Sequence, residues 1–168
     1  MSSPTAMSCI SDSPTSVMTG QLFFEDFRAG EVVEYGGVNV TAEAIVAFAR
    51  EFDPQPFHVD PEAAIVATGG LIASGWHTIA LLLKMNCEAF LTRAEVAEEK
   101  GVEEVRWGRP VRPGDRLHAR RSTLSARRSE AREDAGDLEF LFEVVNQDGA
   151  VAMTQRSVLS LKRRQGAD

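Results

Sequence analysis

A chain of 168 residues, 43% hydrophobic and 26% charged, has the size and composition of one globular domain that can bury a core without covalent staples. A net charge of −7 argues against nucleic acid as a main partner, because the general basic field is missing. No run of ~18 apolar residues is present, no Lys or Arg precedes Arg28, and Cys9 and Cys87 suggest no disulfide framework. These features argue against a membrane span and a secretory signal, and a cytoplasmic protein is expected.

Residues 1–20 are rich in Ser, Thr and Pro and read as a flexible tail. Residues 31–40 read as a strand, with a bulge or bend at Gly36-Gly37. Thr41 is a good N-cap for a helix over 42–52, in which Ile45, Phe48, Ala49 and Phe52 form one apolar face. Pro54 ends that helix by Asp53. Asp60 and Pro61 predict the start of a short helix over 61–68, stopped by Gly69-Gly70. A second long helix is predicted over 75–91, so apolar around its circumference that burial on nearly all sides, Trp76 included, is expected.

Four strands follow, over 102–109, 115–126, 138–145 and 150–161, after a charged link at 92–100. In the third, Leu138, Phe140, Phe142 and Val144 alternate with polar residues at a period of two. Asn146-Gln147-Asp148-Gly149 is a hairpin turn, and residues 162–168 are expected to be solvated. A buried helix needs a cover, and a curved antiparallel sheet supplies one while keeping its other face wet. The predicted class is therefore α+β, a single hot-dog domain over 21–163 with a short tail at 164–168. Its exposed sheet edges predict a homodimer or higher homo-oligomer.

The chemistry centres on Asp53-Pro54-Gln55-Pro56-Phe57-His58. Held fully extended, five residues at ~3.1 Å each would keep Asp53 and His58 ~15 Å apart, whereas cooperation on one small group needs hydrogen-bond range, ~3 Å. The segment must turn back on itself for the pair to act together. Asp53, His58, Asp60 and His77 match no standard metal-ligand spacing, so no metal site is expected. Arg106, Arg109 and Arg112 cluster near a turn, as solvated charge or as partners for a phosphate-bearing ligand.

Three motifs resemble those of the MaoC-like (R)-specific enoyl-CoA hydratases and dehydratases: the Asp53–His58 segment, Gly70-Leu71-Ile72-Ala73-Ser74-Gly75 and Pro110-Val111-Arg112-Pro113-Gly114-Asp115. Gln55 stands where the family usually has Asn, Ser74-Gly75-Trp76-His77 replaces a His-Gly-Met-Leu type, and Leu83 occupies the position of a serine common on the central helix. The resemblance implies reversible hydration of a trans-2-enoyl-CoA to the (R)-3-hydroxyacyl-CoA, without a cofactor. Asp53 and His58 would share the attacking water. The Gly75 backbone N–H would hold the thioester oxygen, as expected of a donor at a helix N-terminus. Ser74, Trp76 and His77 would contact substrate. The alternatives are a hot-dog acyl-CoA thioesterase, for which the only acid on the central helix is Glu88, and a non-catalytic acyl-thioester binder.

Overall fold

The computed structural model describes residues 20–166, so the tail expected over 1–20 lies almost wholly outside the described residues. In chain order the elements are β1 (Val32–Asn39), α1 (Ala42–Phe52), α2 (Pro56–Val59), α3 (Pro61–Thr68), α4 (Gly75–Ala89), β2 (Val96–Trp107), β3 (Arg116–Arg128), β4 (Ala135–Val145) and β5 (Val151–Lys162). The strands form one antiparallel sheet in the order β1-β3-β4-β5-β2. Its inner face lies on α4, and Leu82 and Met85 of that helix share one core with Leu117, Phe140, Phe142 and Val144. This is the hot-dog arrangement, α+β, that the order of elements predicts.

The local reasons are those expected. The Thr41 hydroxyl accepts from Ala44 N at 3.1 Å and caps α1. Asp60 accepts from Glu62 N and Ala63 N at the start of α3, and Gly69, with φ 72°, ends it in the left-handed conformation. The β1–β3 register shifts between Tyr35 and Val38, at Gly36-Gly37. Gly36 has φ 81°, and a Cβ there would lie 2.7 Å from Met85 Sδ, so α4 crosses β1 where only glycine fits. Beneath the sheet the Arg121 guanidinium sits 4.8, 5.0 and 5.3 Å from the ring centres of Phe27, Phe90 and Phe140, with Glu31 at 2.9 Å.

Four expectations are corrected. First, α4 is not buried all round. The sheet covers one side, and Trp76 and Leu83, seven residues apart, turn outward at 63% and 53% exposure. Second, the stretch expected to be a charged link contains the first turns of β2. Three register shifts along that edge strand break its alternation, so its charges hide the period of two. Third, Phe52 ends α1 exposed, its ring against Phe48 at 4.9 Å but beyond the core. Fourth, Arg163 and Arg164 are not simply solvated: Arg164 Nη2 donates to both Asp26 carboxylate oxygens, and Arg163 Nε lies 3.6 Å from Glu25.

Candidate active site

Asp53 closes α1, and Pro54 forbids a further helical turn. Gln55 N donates to Asp53 O at 2.8 Å, a two-residue reversal for which the fixed φ of the intervening proline is suited. Pro56 then opens the single turn of α2, which carries His58. The extended separation collapses, and His58 Nε2 lies 3.4 Å from Asp53 Oδ2.

The protons in this pair are set by its neighbours. His58 is buried, and its Nδ1 lies 2.8 Å from Ile72 O. A carbonyl can only accept, so Nδ1 donates, and in the neutral ring Nε2 keeps its lone pair toward Asp53. The Ser74 hydroxyl donates to Asp53 Oδ2 at 2.6 Å, and Gln55 Nε2 donates to Oδ1 at 2.8 Å. These two bonds, Ser74 first, hold the Asp53 carboxyl below its ordinary range against partial burial, with a smaller contribution from His58. Two acceptors, Nε2 and Oδ2, therefore face each other beyond hydrogen-bond contact. A water molecule lying against both can donate one hydrogen to each.

The N-terminus of α4 completes the site. Ser74 is its cap, with Oγ accepting from Trp76 N at 3.2 Å while the hydroxyl proton goes to Asp53. The Gly75 N–H finds no acceptor among the described residues. Trp107 lies over this turn: its Nε1 donates to Gly75 O at 3.1 Å, and a Cβ on Gly75 would sit 2.6 Å from the same nitrogen. Close packing alone thus requires glycine here, independently of any use of its N–H. Asp53, His58, Gly75, Thr78, Trp107 and Arg109 line an open cleft of about 430 Å³, with Trp76 at its rim.

The structure brings Asp53, His58, Ser74, Gly75 and Trp76 together, but not His77. That ring is buried and stacked on Phe48 at 4.6 Å, and burial pushes its pKa down. Ser74 turns toward Asp53 rather than standing free for substrate. The arginine trio disperses: Arg112 donates to the carbonyls of Thr68 and Gly70, Arg106 pairs with Glu104, and only Arg109 lines the cleft. Sequence reasoning missed Trp107 and the Ile72 carbonyl, which carry no local signal. Gln55 stood out only as a departure, and it is a donor to Asp53. Among the described residues no three His, Cys, Asp or Glu side chains gather to hold a metal ion, and no helix is long and apolar enough to cross a membrane.

A family model described as "MaoC like domain" matches residues 26–138, most of the hot-dog domain. The chain belongs to the MaoC-like family. Among solved members, the MaoC-like dehydratase from Rhodospirillum rubrum is 38% identical, with a TM-score of 0.78 over 85% of this chain and 98% of that one. The R-hydratase PhaJ1 from Pseudomonas aeruginosa is 18% identical, with a TM-score of 0.68 over 86% and 88% of the two chains, and shares the fold. The uncharacterised YdeM of Bacillus subtilis is 31% identical over 124 residues, 73% of this MaoC-like chain and 86% of its own.

Proposed function

We propose that this MaoC-like protein adds water reversibly across the C2–C3 double bond of a trans-2-enoyl-CoA, giving the (R)-3-hydroxyacyl-CoA. The observation that carries the reading is the Asp53–His58 pair, two acceptors 3.4 Å apart beside the Gly75 N–H, which has no acceptor among the described residues. The Gly75 N–H, with the helix dipole behind it, receives the thioester oxygen and stabilises the enolate charge, a contribution of ~3–4 kcal/mol to the barrier for such a donor. Water held by Nε2 and Oδ2 attacks C3. As the new C–O bond forms, the C2–C3 π pair shifts to C1–C2 and the carbonyl π pair moves onto the thioester oxygen, while Nε2 takes a water proton. The imidazolium returns a proton to C2, so the elements of one water are added on one face. Dehydration is the same path reversed.

Arg109 lines the cleft, and its guanidinium, without a partner among the described residues, suits the phosphates of CoA. The long β2 edge, with its own exposed Val102 and Trp107 and the exposed Trp76 and Leu83 of α4, supports a homodimer, to be checked by sedimentation-equilibrium mass in solution. The thioesterase alternative lacks support. Glu88 is paired with Lys84 on the exposed side of α4, thirteen residues from Gly75, or ~20 Å along the axis.

The test follows the loss of conjugated enoyl-thioester absorbance with crotonyl-CoA and a medium-chain enoyl-CoA. Wild type is expected to turn over at least one, and Asp53→Asn and His58→Ala to fall by ~10²-fold or more. Variants that keep the wild-type rate would refute the assignment of the pair.

A further inference from the structure

One stripe of α4, exposed at Trp76 and Leu83 and buried at Asn86, leads away from the cleft. Trp76, Ile79, Leu83 and Asn86 recur at helical spacing, and the last three line a second cavity of about 250 Å³. Its other walls are Phe140 and Phe142 of β4, Val102 of β2 and the inner face of β5. The cavity opens to the surface beside the exposed Leu83 and Val102, and its volume is several times a water molecule's share of the liquid, ~30 Å³. At ~1.5 Å per residue, Asn86 lies ~16 Å along α4 from Gly75. An acyl tail laid along α4 from a thioester held at Gly75 would reach it.

The lining is mostly apolar, with Asn86, Glu99, Gln155 and Ser157 its polar members. Along the inner face of β5, Met153, Leu159 and Leu161 are core residues, but Gln155 and Ser157 interrupt them and face the cavity. The Gln155 side-chain oxygen is buried without a hydrogen-bond partner among the described residues. Across the cavity Tyr35 Oη donates to Asn86 Oδ1 at 2.6 Å, which fixes that carboxamide and leaves its NH₂ free of protein acceptors among the described residues. An unpaired amide is costly in a cavity that holds only hydrocarbon.

We infer that this cavity receives the distal end of the acyl group and selects a tail with an uncharged group that both donates and accepts hydrogen bonds, a hydroxyl above all, over a plain alkyl chain. The inference rests on the hydratase reading for the direction of the tail. Gln155 would accept the hydroxyl proton, and the Asn86 NH₂ would donate to its oxygen. A carboxylate fits poorly. It has no proton for Gln155, no Lys or Arg lines the cavity, and Arg121, over the Phe90 and Phe140 rings, is committed to Glu31.

The experiment compares trans-2-hexenoyl-, octenoyl- and decenoyl-CoA, each with and without a terminal hydroxyl, on wild type, Gln155→Leu and Ser157→Ala. Calorimetric binding of the matching saturated acyl-CoAs is measured alongside. At the length that reaches Gln155, wild type is expected to favour the hydroxylated substrate in kcat/KM and its analogue in Kd by ~10-fold or more, and Gln155→Leu to abolish or reverse that ratio. A wild-type preference for the plain chain at every length, or a ratio unchanged in Gln155→Leu, overturns the inference. If no enoyl-CoA is hydrated, the hydratase reading falls, and the binding ratios alone decide the cavity.

Discussion

Ser74→Ala removes one oxygen that has two partners. The hydroxyl donates to Asp53 Oδ2 at 2.6 Å and accepts from Trp76 N at 3.2 Å. A hydrogen bond to a charged group contributes ~1.5–3 kcal/mol when shielded. Asp53 faces an open cleft and water takes part of that, so about 1 kcal/mol is expected here. Loss of an N-cap side chain costs ~1 kcal/mol more. The variant should therefore be about 2 kcal/mol less stable by urea unfolding at pH ~7. The two parts separate with pH. Asp53 has a depressed pKa in the folded chain, with Ser74 the largest cause. Its contribution is full above the unfolded value of ~3.9 and is lost as pH falls through the folded value. The gap between wild type and variant should shrink toward the cap alone as the pH is taken from ~7 down through and below ~3.9. In the hydration assay the freed carboxylate should cost ~10-fold in kcat with little change in KM. A gap of equal size at both pH values, with kcat unchanged, would show that Ser74 caps α4 and nothing more.

The other predictions follow from contacts already described. Gly75→Ala places a methyl against Trp107 Nε1 and should cost ~1–3 kcal/mol in thermal unfolding; Trp107→Ala should recover much of that in the double variant, whereas additive losses would mean that the two do not touch in solution. Gln55→Leu removes the donor to Asp53 Oδ1 and should raise the Asp53 titration midpoint by less than Ser74→Ala does, read by NMR of the carboxyl carbon. Arg121→Met keeps volume against Phe27, Phe90 and Phe140 and should change stability by less than ~1.5 kcal/mol, while Arg121→Ala should cost ~3 kcal/mol; equal losses in chemical denaturation would place the stabilisation in the charge.

The parts legible in the sequence are those decided within one turn of chain. Thr41 capping α1, Asp60-Pro61 opening α3 and the alternation of Leu138, Phe140, Phe142 and Val144 all depend on near neighbours, and all appear where expected. What failed depends on distant chain. The charges of Glu98, Glu99 and Lys100 read as a link because β5 pairs with β2 through bulges that no local pattern announces. The burial of α4 was overstated because composition cannot say how many sides a sheet covers.

The candidate site divides the same way, and His77 shows where a better reading was available. Pro54 made a reversal after Asp53 predictable, but the 3.4 Å approach of His58 depends on the Ile72 carbonyl, fourteen residues on, which orients its ring. No sequence feature tied Trp107 to Gly75 across 32 residues. His77, two residues into α4, is open from the sequence to either a substrate contact or a packing role. A helix turns ~100° per residue, so a side chain two positions after Gly75 leaves the face that Gly75 presents, while one three positions on returns to it. The structure follows that phase: His77 stacks on Phe48 under α1, and Thr78 lines the cleft. At the start of a helix, rotation rather than adjacency decides which residues share a site.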